Sequence, residues 1–178
     1  MSDKINEPAE EMLEIVDADG NTVGLEPRSK CHGDPSLVHR AVHVIVRDRR
    51  GRFFLQKRAM TKDIQPGKWD SSVGGHLDPG ETYEEAASRE LHEELGVAIE
   101  DLGRGLLWKH DYVWRSPVET ELVRTFEIRC DGPFRLHPEE LEDGRFWTES
   151  ELREACGMGI FTPNLEEELR LLGVTLPT

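Results

Sequence analysis

The sequence predicts an α/β fold, a mixed sheet flanked by helices in an α/β/α sandwich, preceded by an N-terminal β-hairpin. Three observations support this prediction. Residues 39–47 alternate β-branched and polar positions, as in a strand. Residues 82–96 carry the start and stop signals of a helix. Strand and helix patterns are mixed along the chain, which favours a sheet covered on both faces.

The composition is typical of one acidic globular domain. The chain has 178 residues and a net charge of −14, from 36 acidic and 22 basic residues. Without a basic stripe, neither nucleic acid nor an anionic membrane is an expected partner. Three cysteines without metal-ligand spacing argue against disulfides and for a reducing compartment. We expect a cytoplasmic monomer or homodimer, with residues 1–11 disordered and residues 12–178 forming a single domain.

The first half of the chain reads mainly as strands. Residues 13–17 and 22–26 flank the turn at Gly20 and predict a hairpin. Residues 27–37 predict an irregular loop at the mouth of a site. Further strands are expected at 39–47, 52–58 and 69–73. Gly74 and Gly75 then follow, where the backbone can approach another group closely.

The second half is expected to close the sheet and add two helices. Residues 106–114 and 119–130 predict a long antiparallel pair. Residues 135–144 are expected to be a loop and residues 145–147 the last strand. Helices are predicted at 150–155 and 163–172, the second with Thr162 as its N-cap.

A helix from about residue 83 to 95 carries the chemistry. Thr82 and Glu85 form a capping box, and Gly96 is placed where a helix ends on a left-handed residue. The apolar stripe consists of Ala87, Leu91 and Leu95. Glu90, Glu93 and Glu94 crowd a different arc of the helix. Carboxylates at this spacing repel one another, and a hard cation such as Mg²⁺ or Mn²⁺ reverses that cost.

The stretch around this helix matches one motif at every fixed position. The pattern is G-x5-E-x7-R-E-U-x-E-E-x-G-U, with U aliphatic, and it is met by Gly75, Glu81, Arg89, Glu90, Leu91, Glu93, Glu94, Gly96 and Val97. On this motif the chain is identified as a member of the Nudix superfamily. The resemblance implies a metal-dependent hydrolase that cleaves a diphosphate linkage in a nucleoside di- or triphosphate, or a related diphosphate ester, by attack of water at phosphorus.

The same resemblance implies roles for the motif residues. Glu90 and Glu94 correspond to the principal metal ligands, and Glu93 to a further ligand or the water-orienting base. Arg89 corresponds to the residue that fixes Glu90, and Glu81 to a glutamate linked to the metals through water.

Outside this motif the chain resembles the isopentenyl-diphosphate isomerase branch of the superfamily. The similarity covers residues 13–165 and is carried by LVHRAVHVIV, FLQKRAMTKDIQPGKW, VGGH and ETELV. It implies a second divalent metal bound by His32, His39, His76, Glu119 and Glu121. It also implies a diphosphate pocket containing Arg28, Arg58 and Lys62. Imidazole and carboxylate together suit Mn²⁺, Zn²⁺ or Fe²⁺. In the alternative interpretation, Glu121 completes the metal cluster of the hydrolase.

Gly74 separates the chain from those isomerases. Their catalytic cysteine corresponds to this position, and glycine is neither an acid nor a nucleophile. The helix glutamates that isomerases lose are intact here. Hydrolysis is therefore the leading expectation. The alternatives are an isomerase-like activity and a non-catalytic module that senses diphosphates.

Overall fold

A computed structural model describes residues 10–176, and within them nine strands form one mixed sheet. The strands are β1 (Met12–Val16), β2 (Thr22–Pro27), β3 (His39–Arg47), β4 (Phe53–Arg58), β5 (Trp69–Asp70), β6 (Val73–His76), β7 (Leu107–Arg115), β8 (Thr120–Arg129) and β9 (Leu141–Trp147). The helices are α1 (Arg28–Cys31), α2 (Tyr83–Leu95), α3 (Glu149–Ala155) and α4 (Pro163–Leu171), with a 3-10 turn at Ile99–Leu102.

Strand β3 is central to the sheet and pairs with four other strands. It pairs in antiparallel fashion with β1, β4 and β6, and it runs parallel to β8 along its whole length. The parallel register places His39 opposite Glu121. The antiparallel register with β6 places Ala41 opposite His76. Residues far apart in the sequence therefore meet at one end of β3.

Helices cover both faces of this sheet, as predicted. Val42, Val44 and Val46 of β3 pack with Leu91 and Leu95 of α2 in one buried layer. Ile45 points to the opposite face because side chains alternate along a strand. That second layer contains Phe53 and Leu55 together with Leu152, Leu165 and Leu169 of the last two helices. Each fully buried leucine contributes roughly 1.5–3 kcal/mol of hydrophobic free energy.

The start and stop signals of α2 act as predicted. The hydroxyl of Thr82 accepts a hydrogen bond from the Glu85 backbone N–H, and the Glu85 carboxylate accepts one from the Thr82 N–H. Gly96 ends the helix with a φ of +68°. The helix is thereby held in one register against the sheet.

Several local predictions were wrong in detail. The segment predicted to be irregular contains the one-turn helix α1. The predicted strand at 69–73 is divided into β5 and β6, so that Gly74 and Gly75 lie within a strand. The predicted loop at 135–144 ends early, because residues 141–144 pair with β4. Asp and Gly are poor strand formers, and here the backbone ladder overrides that preference.

The remaining strand and helix predictions are confirmed to within one residue or two at each end. The predicted disordered terminus falls almost wholly on residues 1–9, outside the described residues. Glu11, which is described, contacts Arg28 and His76. None of the described helices is long and apolar enough to cross a membrane.

Candidate metal centre and active site

The acidic arc of α2 lines a large cavity, of about 860 Å³. Glu90, Glu93 and Glu94 all border it. Glu94 is buried, Glu90 is half-buried and Glu93 is exposed. Burial, and then the neighbouring Glu90, raise the pKa of Glu94 to about 8. Burial also raises the pKa of Glu90, against the lowering effect of Arg89. The ionised forms of both carboxylates are therefore disfavoured, and a bound cation would stabilise them.

Arg89 organises these carboxylates. Its Nη1 donates to Glu90 at 2.7 Å and to Glu93 at 3.4 Å. Nε and Nη2 form a paired contact with Glu81 at 3.0 and 2.9 Å, and Nη2 also donates to the carbonyl of His76 at 2.9 Å. The Glu81 carboxylate is thus committed to Arg89. Glu81 is not among the residues that line the cavity in the described part of the chain.

Gly75 admits the Glu90 side chain. A Cβ atom at Gly75 would lie 2.1 Å from Oε1 and 2.8 Å from Cγ of Glu90. No side chain fits there unless the carboxylate moves. The glycine at the start of the motif is therefore required by the position of Glu90.

Three histidines and a glutamate converge beside this wall. The potential ligand atoms of His32, His39, His76 and Glu121 all lie within 4.8 Å of one another. Oε1 of Glu121 is 3.3 Å from Nε2 of His76 and 3.7 Å from Nε2 of His39. Glu119 joins at the edge, 3.7 Å from Nε2 of His32. Glu121 is thus grouped with the histidines.

The imidazoles are oriented as metal ligands usually are. In each ring Nδ1 has a partner: Leu37 O at 3.0 Å for His39, Glu11 at 3.0 Å for His76 and Asp63 at 3.3 Å for His32. Each Nε2 is therefore left to face the cluster, and the fully buried Nε2 of His39 has no hydrogen-bond partner within residues 10–176. Partners on the second ring nitrogen are typical of metal-binding histidines.

Charge in the histidine cluster is strongly perturbed. Burial, and then the neighbouring Arg28, lower the pKa of His32 to about 4. Burial opposes charge on His76, but hydrogen bonds with Glu11 and Glu121 raise its pKa to about 9. Burial, and then the charge of Glu121, raise the pKa of Glu119 to about 7. Burial would raise the pKa of Glu121, yet the neighbouring imidazoles of His39 and His76 hold it well below the ordinary range.

The three basic residues of the expected diphosphate pocket also border the cavity. Each is paired with an acid in the described structure. Arg28 binds Asp63 at 2.9 Å, Arg58 binds Asp70 at 3.2 Å, and Lys62 contacts Glu140. The α2 carboxylates, the basic residues and every member of the histidine cluster except the fully buried His39 therefore line one cavity.

Sequence reasoning missed several residues that line the cavity, among them His43, Asp70, Arg135 and His137. Arg135 and His137 lie next to α2 because their backbone N–H groups donate to the carbonyls of Leu95 and Glu94. No local sequence pattern predicts such a long-range backbone contact. Trp69 does not line the cavity in the described chain and packs against Trp147.

The fold and the site together define a domain built for phosphate chemistry, with an acidic helix set against a mixed sheet. The NUDIX domain model matches residues 37–165, and the chain belongs to the Nudix family. It is accordingly a hydrolase that acts on acid anhydrides in phosphorus-containing compounds, a family that generally uses divalent metals.

Proteins with similar sequences are named either as isomerases or as uncharacterized Nudix hydrolases. The chain is 37% identical over 145 residues to an isopentenyl-diphosphate Delta-isomerase of Streptomyces avermitilis, covering 80% of this chain and 74% of that one. It is also 37% identical over 155 residues to an uncharacterized Nudix hydrolase of Rhodococcus erythropolis, covering 82% and 81%. The solved structure of DR0079 from Deinococcus radiodurans superposes with a TM-score of 0.77 at 29% identity, over 90% of this chain and 98% of that one.

Proposed function

We propose that the protein hydrolyses a diphosphate linkage in a nucleoside di- or triphosphate, or in a related diphosphate ester. Glu90 and Glu94 hold Mg²⁺ or Mn²⁺ in this proposal, with Glu93 as a further ligand or base. The observation that carries it is the complete carboxylate set on α2, with Arg89 joining Glu90 and Glu93 at the cavity wall.

The carboxylates suit a hard cation. Oε2 of Glu94 is buried and has no hydrogen-bond partner within the described chain. Leaving a buried carboxylate oxygen unpartnered is costly, and coordination would remove that cost. A bound divalent ion neutralises phosphate oxygens and lowers the pKa of a coordinated water.

The residues of the chain supply the other requirements of phosphoryl transfer, which are positioning and charge compensation. Arg89 fixes the Glu90 carboxylate through its 2.7 Å contact. Glu93 has a side chain that is 55% exposed, so it can reach a water in the cavity and accept its proton. Arg28, Arg58 and Lys62 are suited to bind phosphate oxygens in exchange for their present acidic partners. Glu81 acts through Arg89 rather than directly.

A second divalent ion fits the histidine cluster. His32, His39, His76 and Glu121, with Glu119 beside them, present nitrogen and oxygen donors around one point. This donor set suits Mn²⁺, Zn²⁺ or Fe²⁺ better than Mg²⁺. We assign it to a site separate from the α2 carboxylates.

That cluster also favours a second candidate, an isomerase-like activity on isopentenyl diphosphate. The similarity to the Streptomyces isomerase agrees with it. Against it stands Gly74, and none of the three cysteines lines the cavity in the described chain. No thiol is therefore available to exchange protons with an alkene.

Phosphorus NMR with a panel of substrates tests both candidates. The panel contains nucleoside di- and triphosphates, sugar nucleotides and isopentenyl diphosphate, each with Mg²⁺ or Mn²⁺. Release of phosphate or of a nucleoside monophosphate, abolished in Glu94→Gln, supports hydrolysis. Movement of the double bond without phosphate release would instead establish the isomerase. Metal-dependent binding without turnover of any compound would show that the site only senses diphosphates.

A further inference from the structure

A buried acid–base pair lies behind the cavity and has no part in the proposed chemistry. Nδ1 of His43, on β3, is 3.1 and 3.3 Å from the two carboxylate oxygens of Glu168 on α4. Thr125 of β8 donates to Oε1 of Glu168 at 2.5 Å. Glu168 is completely buried. Three separate elements thus fix the orientation of the His43 ring.

The other edge of the ring faces the cavity. His43 and Gly74 are both cavity-lining residues, and they lie opposite each other in the pairing of β3 with β6. A Cβ atom at Gly74 would lie 3.2 Å from Cδ2 and 3.4 Å from Nε2 of His43. Any side chain at this position would therefore cover Nε2. The described chain provides no hydrogen-bond partner for Nε2, so this nitrogen is free to meet a ligand.

The position is next to the carboxylates of α2. Gly74, His43 and Glu94 all line the same cavity. A donor at Nε2 therefore faces the cavity that a proposed metal ligand also lines. Phosphate oxygens bound beside Glu94 are the nearest anionic groups of a diphosphate substrate that the donor could meet.

The imidazole carries positive charge at neutral pH. Burial opposes that charge, but Glu168 outweighs it, with smaller contributions from Asp70 and Glu121, and the pKa of His43 rises to about 9. Both ring nitrogens then carry hydrogen. Nδ1–H is used by Glu168, and Nε2–H remains for an acceptor in the cavity.

We propose that Nε2 of His43 donates a hydrogen bond to a non-bridging oxygen of the substrate diphosphate, in a notch that Gly74 keeps open. Glu168 is the positioning residue that aims the ring. The inference rests on the proposed function, since it presumes a diphosphate beside Glu94. It also gives Gly74 a positive role. The residue that replaces the isomerase cysteine exposes a cationic donor.

Binding of methylene diphosphonate, a diphosphate analogue that is not hydrolysed, tests the proposal in the presence of Mg²⁺. Gly74→Ala places a methyl group against the Cδ2–Nε2 edge of His43, whereas Glu168 contacts Nδ1. We expect it to weaken binding about tenfold or more, as for a lost hydrogen bond to a charged group. Gly24→Ala is the matched control, because a Cβ at Gly24 meets nothing within 4 Å. His43→Gln should weaken binding to the same extent, and Gly74→Ala should add nothing in the His43→Gln background.

A spectroscopic measurement separates contact from a structural effect. In protein labelled with ¹⁵N-histidine, the Nε2–H signal of His43 should shift when methylene diphosphonate and Mg²⁺ are added. It should not shift in Gly74→Ala. Unchanged affinity in Gly74→Ala together with a fixed His43 signal in the wild type would overturn the proposal. If Glu94→Gln still abolishes binding and turnover in that case, the hydrolase assignment stands while this inference fails.

Discussion

Replacing Gly75 by alanine should lower the rate of hydrolysis about a hundredfold while leaving the fold intact. The added Cβ would lie 2.1 Å from Oε1, 2.3 Å from Cδ and 2.8 Å from Cγ of Glu90, whereas an ordinary contact begins at 3.4 Å. The carboxylate atoms Oε1 and Cδ must therefore move by more than 1 Å, and the 2.7 Å contact of Oε1 with Arg89 must break. Because a flexible glutamate can rotate away, the cost in stability is small, about 1 kcal/mol. A displacement of about 1 Å in a reacting group costs about a hundredfold in rate.

The assay is Mg²⁺-dependent hydrolysis of whichever panel substrate the wild type cleaves, with thermal unfolding measured in parallel. We expect a loss of about a hundredfold in rate for Gly75→Ala, with a melting temperature near that of the wild type. Gly24→Ala, a glycine-to-alanine change in an exposed strand, should leave both unchanged. Activity in Gly75→Ala within about twofold of the wild type would refute the placement of Glu90 at the metal.

Three further predictions concern single side chains. Glu94→Gln should have a melting temperature at least equal to that of the metal-free wild type, because burial disfavours the charge of the native carboxylate. The variant should nevertheless lose most hydrolysis. Retained turnover would show that Glu94 is not a metal ligand. His39→Gln should lower the number of Zn²⁺ ions bound per chain, measured by metal analysis after gel filtration. The control His92→Gln, in the last turn of α2, should not lower it. Equal zinc content in the two variants would contradict the histidine site. The pKa of His43 is raised from 6.5 to about 9, so its pair with Glu168 should stabilise the fold fully below pH 6.5 and lose at most about 3 kcal/mol as the pH rises through 9. The free energies of unfolding of the wild type and of His43→Gln should therefore become more similar as the pH rises through this range. A difference that does not change with pH would argue against a charged pair.

The elements predicted correctly from the sequence are those with local signals. The capping box at Thr82 and the left-handed Gly96 specify the ends of α2 without reference to the rest of the chain. The first residues of β9 carry no such signal, since their strand state comes from pairing with β4. Strand preferences depend on context in just this way.

The residues of the candidate site also differ in whether a local sequence signal predicts them. The α2 glutamates follow from helical spacing, because residues three and four apart share a face. The convergence of His39, His76 and Glu121 requires the registers of β3 with β6 and β8, which are not local properties. Their resemblance to an isomerase ligand set indicated them. His43 had no signal of either kind, since its partner Glu168 is 125 residues away.

Three consecutive residues of β6 lie between the α2 carboxylates on one side and His43 with the histidine cluster on the other. They can do so because alternate residues of a strand face opposite sides. Gly75 faces α2 and admits Glu90, whereas Gly74 and His76 face the other side, towards His43 and the histidine cluster. A change at position 74 can therefore alter the floor of the cavity without displacing the α2 carboxylates. In the resemblance to isomerases, this position corresponds to a cysteine, and Gly74 leaves the space beside His43 open. For that reason, similarity to isomerases over most of the chain is compatible with hydrolysis at the same cavity.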